Sequence, residues 1–207
     1  MSTELIAAVE AADSAEGLVR AVAALSAART DAAIPTLISV LAFNNPGAAV
    51  VAVDGLIQLG PPAAQAILNN LDDYNYGARA WALRALAGIG EPAALPLLLS
   101  AAREDFSLSV RRAATYGLGR LRWADLAESD RQNQQQQCYE TLRLCLQHDP
   151  EWVVRYAAAA ALESLGPASP QLLQAIRESL NQQAQIDEER AVQARSWLAE
   201  QRLATGV

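Results

Sequence analysis

One arrangement of apolar positions recurs along the chain. Arg29, Gly60, Gly90, Arg122 and Gly166 are each preceded, four residues earlier, by a leucine: Leu25, Leu56, Leu86, Leu118 and Leu162. Eight residues before each stands an alanine: Ala21, Ala52, Ala82, Ala114 and Ala158. Large and small apolar residues at i and i+4 share one helical face, and the alanines let a neighbouring helix come close. The five marker residues are therefore expected at or just past helix ends.

After each marker the chain turns, commonly through proline (Pro61-Pro62, Pro92, Pro167), and a second apolar helix follows, as in AIPTLISVL and AALPLLLSAA. Glycine past one helix and proline opening the next is helix-turn-helix punctuation. Successive markers lie 31, 30, 32 and 44 residues apart, room for two short helices per unit. Period-two alternation is absent, so no strand pattern competes. The pattern predicts an all-α fold, an α-solenoid of HEAT-like helical hairpin repeats. One domain is expected over residues 1–207 with about five to six helix pairs. The long interval contains a Gln-rich insertion near 124–137, ADLAESDRQNQQQQ. It is read as a loop leading into a long helix at CYETLRLCLQH. The tail from Ser169 supplies one more unit or cap.

Composition narrows the chemistry. About half of the residues are apolar, enough for a continuous core, and the net charge is −7, which disfavours nucleic acid as a partner. All sixteen basic residues are arginine, excluding a Schiff-base lysine, pyridoxal phosphate chemistry and a P-loop. One histidine, His148, and two cysteines fall short of a four-ligand zinc site, and no metal is expected. Cys138 and Cys145 on one helix would be roughly 10 Å apart, too far for a disulfide. No apolar run reaches the ~20 residues of a membrane span, and the N-terminus is acidic where a signal peptide is basic. A cytoplasmic location is expected.

A second repeat is polar. Aspartate and arginine stand six apart in DYNYGAR (Asp73 to Arg79), DFSLSVR (Asp105 to Arg111) and DPEWVVR (Asp149 to Arg155), while an earlier unit has Phe43 and Ala49 instead. On one reading each aspartate shapes a loop or caps a helix and each arginine pairs with the next repeat, a ladder that fixes the stacking. On the other, the central repeats form a ligand surface. Most of the aromatic residues fall between Tyr74 and Tyr156, interleaved with arginines. Such a lining suits a flat, conjugated anion through ring stacking and bidentate contacts to carboxylates. The candidate ligand-binding residues are Asp73, Tyr74, Tyr76, Arg79, Trp81 and Arg84 in one unit. Asp105, Arg111, Arg112, Tyr116, Trp152 and Arg155 are those of the next two.

The stretch NYGARAWALRALAGIGEPAALPLLLSAAREDFSLSVRRAATYGLGRL resembles the HEAT-like repeats of the E/F-type phycobilin lyases, and most closely their smaller, beta-type subunit. The VRRAA…LG repeat alone is shared by many HEAT-like proteins. NYGARAWALRALAGIG combined with DFSLSVRRAA is far more specific. The resemblance implies a subunit that works with a larger HEAT-repeat subunit to attach an open-chain tetrapyrrole, phycocyanobilin, to a cysteine of an apo-phycobiliprotein. The phycocyanin alpha subunit is the expected acceptor. The bilin would be substrate rather than cofactor, and the bond a thioether formed by thiol addition to the ethylidene group. Related lyases that also isomerise the bilin carry adjoining His and Cys. Here His148 does not adjoin Cys145, so attachment without isomerisation is expected. No catalytic residue is assigned; Asp73, Asp105, Tyr74 and Tyr76 are candidates for handling protons. The competing expectation on the same fold is a non-catalytic scaffold or chaperone in phycobilisome assembly or breakdown.

Overall fold

The computed structural model describes residues 2–70 and 75–206. Among these the regular structure is helical, with twelve α-helices and four single 3-10 turns. They form two compact units, Met1–Ala94 and Leu95–Val207.

The first unit contains α1 (Ser2–Glu10), α2 (Ala15–Ala27), α3 (Ile34–Val40), α4 (Pro46–Leu59), α5 (Pro61–Asn69) and α6 (Tyr76–Ile89). Consecutive helices pair as hairpins; α2, α4 and α6 line up in one layer, and α3 packs beside α5 in the other. Gly60 and Gly90 cap α4 and α6 with φ of 71° and 72°, a left-handed conformation that costs glycine little. Arg29, the residue after the C-cap Ala28 of α2, also has a positive φ, of 48°.

The second unit contains α7 (Leu95–Glu104), α8 (Leu108–Leu118), α9 (Glu128–His148), α10 (Trp152–Ala168), α11 (Leu173–Ile186) and α12 (Arg190–Thr205). Here α8, α10 and α12 form one layer and α7, α9 and α11 the other. The leucine stripe is the core of both units: Leu25, Leu56, Leu86, Leu118 and Leu162 are fully buried, each contributing about 1.5–3 kcal/mol of burial free energy. Of the paired alanines, Ala52, Ala82, Ala114 and Ala158 are buried as well.

Three local expectations are corrected. Gly166 lies inside α10, which continues through Pro167 to Ala168. A Cβ there would meet Leu203 Cδ2 at 2.7 Å, so this glycine serves close helix packing rather than helix termination. Arg122 is not a helix end either. Helix α8 stops at Leu118, and Gly119 packs so closely on α10 that a Cβ would sit 2.5 Å from Ala161 Cα. Finally, most of the Gln-rich insertion is helical, because α9 begins at Glu128. Glutamine is a good helix former, Glu128 and Asp130 favour the first turn, and Gln132 and Gln136 bond Glu128 and Glu140 at i,i+4 spacing. Gln135 is buried and donates to Ala168 O at 2.8 Å, which ties the extension to the end of α10.

No single described helix is long and apolar enough to cross a membrane.

Candidate functional site

Each hairpin of the second unit turns on an aspartate. Asp105 Oδ1 accepts the Ser107 N–H at 2.8 Å, Asp149 Oδ1 that of Glu151 at 2.9 Å, and Asp187 Oδ1 that of Glu189 at 2.8 Å. The side chain six residues on reaches back to the aspartate's own carbonyl oxygen. Arg111 Nη1 donates to Asp105 O at 3.1 Å, Arg155 Nη1 to Asp149 O at 2.9 Å, and Gln193 Nε2 to Asp187 O at 2.6 Å. These bonds satisfy N–H and C=O groups that are left open where one helix ends and the next begins.

The same arginines join one repeat to the next. Arg111 Nε and Nη2 donate to the two Asp149 carboxylate oxygens at 2.8 and 3.1 Å, and Arg155 Nε and Nη2 to those of Asp187 at 2.9 and 3.0 Å. Both pairs are bidentate, the strong geometry for this contact. Burial works against ionisation of Asp187, but bonds from Arg155, the Glu189 N–H and Gln183 outweigh it and hold the carboxyl below its ordinary value. Asp149 and Asp187 likewise raise the basicity of Arg111 and Arg155. In these two rungs the expected ladder is present, and all three guanidinium nitrogens of each arginine are engaged.

The hydrogen-bond register that sets the ladder also sets what points outward. Positions three, seven and eleven after each aspartate are Leu108, Arg112 and Tyr116 on α8. On α10 they are Trp152, Tyr156 and Ala160, and on α12 Arg190, Ala194 and Leu198. All are exposed except Ala160, which is half-buried. Because α8 packs on α10, α10 on α12, and the ladder levels their first turns, these positions make one face. At 8–10 Å between neighbouring axes it is about 16–20 Å wide, and eight residues of rise make it about 12 Å tall.

The face holds no acid, in a chain whose net charge is −7. Tyr116, Trp152 and Tyr156 supply rings. Arg112 and Arg190 make no hydrogen bond or ion pair with another described residue, and Arg120 lies 5.6 Å above the Tyr116 ring. A flat, conjugated anion is the ligand class that such a surface fits.

Known proteins place the chain. Residues 64–131 match the family model for HEAT repeats, and residues 139–169 match that for a single HEAT repeat. A phycobilisome maturation protein of Synechococcus elongatus is 90% identical over the whole of both chains. The phycocyanin alpha phycocyanobilin lyase CpcF of Synechocystis sp. is 56% identical, over 85% of this chain and 82% of its own. This chain belongs to the E/F-type phycobilin lyases. Among solved structures, a chain from the complex of CpcE and CpcF of phycocyanin lyase from Nostoc sp. matches with a TM-score of 0.78. It is 47% identical and covers 83% of this lyase-family chain and 99% of its own.

The residues singled out from the sequence divide three ways. Arg112, Tyr116 and Trp152 lie on the face. Asp105, Arg111 and Arg155 belong to the loops and rungs beneath it. In the first unit, Tyr76 is exposed at the start of α6 and Arg84 lies 4.7 Å above the half-buried Trp81 ring. Arg79 is buried, beside a cavity of about 170 Å³ lined by Ile38, Leu41, Ile67 and Ala82. Asp73 and Tyr74 lie outside the described residues. Tyr156, Arg190 and Leu198 were missed, together with the rung at Asp187. Carrying the count onward from Asp149 would have found Tyr156, but at Asp187 the arginine six residues on is replaced by Gln193, which hides the repeat.

The remaining features of this family member carry little chemistry of their own. Cys138 and Cys145 are free and buried. Burial pushes the Cys145 thiol up to about 11 and Cys138 higher still, so neither is a ready nucleophile. His148 is exposed while Cys145 is in the core, so they do not form a joint site. A polar cavity of about 540 Å³ opens beside His148 and Gln182. Its floor is the Arg155–Asp187–Gln183 cluster, whose polar groups already bond one another. No group of three His, Cys, Asp or Glu among the described residues is placed to hold a metal.

Proposed function

We propose that this chain is the beta subunit of a heterodimeric lyase. With a larger HEAT-repeat subunit it attaches phycocyanobilin, as substrate and without isomerisation, to a cysteine of the phycocyanin alpha subunit in the cytoplasm. The acid-free face of α8, α10 and α12 carries this reading. It offers rings to the conjugated tetrapyrrole and arginines to its propionates, within a family whose relatives bear the lyase name.

The chemistry asks little of the chain's own nucleophiles. The acceptor's sulfur bonds to the ethylidene carbon, the exocyclic double bond opens, and the thiol proton goes to the ring carbon at its other end. No oxidant or reductant is needed. The buried thiols of Cys138 and Cys145 leave the nucleophile to the acceptor. The face holds the bilin in one orientation, which raises the frequency of productive encounters. Tyr116 and Tyr156 bring hydroxyl groups to it for proton exchange with the pyrrole edge. Asp105, by contrast, is held in its loop by the Ser107 N–H.

Co-expression of the chain, the larger subunit, apo-phycocyanin alpha and phycocyanobilin tests the proposal. The expected product is a covalent adduct with the absorbance of attached, unisomerised phycocyanobilin, and much less of it when either subunit is omitted. No adduct with all components present would favour the scaffold role, and an adduct absorbing as an isomerised bilin would overturn the reaction assigned here.

A further inference from the structure

We infer that Arg190 is a carboxylate anchor of this face, bracketing the bilin from the edge opposite Arg112, an inference that rests on the reading proposed above. Arg190 occupies the position on α12 that Leu108 and Trp152 occupy on α8 and α10. It is the only cation of that row in the second unit. It is exposed and has no hydrogen bond, ion pair or ring contact with another described residue.

Three acids precede Arg190, but Asp187 and Glu188 pair with Arg155 and Glu189 makes no ion pair with it, so no local ion pair accounts for a cation there. Arg190 is the first residue of α12, where the positive end of the helix dipole disfavours positive charge. Nor does Arg190 take a ladder role, because Gln193 makes the return bond to Asp187 O. What remains is the surface it overlooks. Ala194, one turn along α12, and Ala160 on α10 are small, so the guanidinium can lie inward over them toward Tyr156. Arg112 can do the same from α8. With two interhelical spacings between the outer axes, about 16–20 Å, long side chains reaching in from both edges converge over the aromatic row. A flat dicarboxylate with both acid groups near its middle fits between them. One anchor alone would let such a ligand pivot; two hold it in place across the face.

The test uses the complex of this chain with the larger subunit. Binding of phycocyanobilin and of its dimethyl ester is measured by absorbance titration for wild type, Arg190→Ala, Arg190→Gln and Trp152→Ala, with melting curves for each. Arg190→Ala and Arg190→Gln should weaken binding of the free acid about tenfold. They should leave ester binding and melting temperature unchanged. Trp152→Ala should weaken both ligands. Equal losses for acid and ester in the Arg190 variants, or no loss for the acid while Trp152→Ala still weakens binding, would overturn the inference and leave the ligand face intact. If neither Arg190→Ala nor Trp152→Ala changed bilin binding, the proposed ligand face itself would fall.

Discussion

The two units begin their second-layer helices with different chemistry at the same repeat position. In the first unit Ser14, Asn45 and Asn75 cap their own helices, accepting from the N–H groups of Gly17, Ala48 and Ala78 at 3.2, 3.0 and 3.0 Å. Asn45 Nδ2 also donates to Ala15 O at 3.0 Å, a neutral bond back to the preceding hairpin. In the second unit the equivalent residues are Ser107, Glu151 and Glu189, and none makes a side-chain cap. The aspartate two residues earlier takes over, and at Asp149 and Asp187 its charge recruits an arginine from the repeat before. The neutral caps close their own helices and, at Asn45, reach one backbone oxygen of the preceding hairpin; the two ionic rungs couple neighbouring hairpins through paired charges.

That difference bears on the outer surface. The rungs bury Asp149 and Asp187 against guanidinium groups, with side chains only 6% and 1% exposed, and so withdraw two carboxylates from the edge of the proposed ligand face. In the first unit the matching positions on α4 are Pro46, Val50 and Asp54, the last an exposed acid. The acid-free positions lie in the unit that holds the Arg111–Asp149 and Arg155–Asp187 rungs.

The sharpest test of the comparison is to remove a rung. Arg155→Ala leaves Asp187 buried without its counter-charge and should cost about 3–5 kcal/mol, measured by urea unfolding. A cost near that of a surface substitution would show that the rung does not couple the hairpins. Acid should act on the same pair. Because the folded Asp187 carboxyl is held below its ordinary value of 3.8, its contribution is complete above that value and is lost as pH falls through the lower, folded one. Arg155→Ala should flatten this dependence. A smaller effect is expected in the first unit: Asn45→Ala should cost about 1 kcal/mol, the usual loss for a cap. A cost matching that of Arg155→Ala would erase the distinction between the two modes.

Much of this was legible in the sequence because periodicity reports burial directly. The Leu/Ala stripe and the Gly and Pro punctuation gave the hairpins, and the spacing from Asp105 to Arg111 and from Asp149 to Arg155 gave the loops behind the rungs. The misreadings have physical causes. A glycine that ends a helix and one that admits a neighbouring helix look alike in one chain, and Gly166 is the second kind. The glutamine run reads as a loop by polarity, yet its i,i+4 partners and the buried Gln135 make it helix. Candidate ligand residues were harder to separate from structural ones because Arg111 and Arg112 adjoin, and likewise Arg155 and Tyr156. One helical step turns the first of each pair into the rungs and the second onto the face.

The adjacent arginines give the most direct measurement of the account. Arg111→Ala and Arg112→Ala are compared in the complex with the larger subunit, by melting temperature and by phycocyanobilin binding. Arg111→Ala should lower stability by about 1–3 kcal/mol, through an unpaired and mostly buried Asp149, while binding persists. Arg112→Ala should change stability by no more than about 0.5 kcal/mol and weaken binding about tenfold. The opposite pattern, with Arg111→Ala impairing binding at unchanged stability and Arg112→Ala impairing stability alone, would contradict the division between ladder and ligand face.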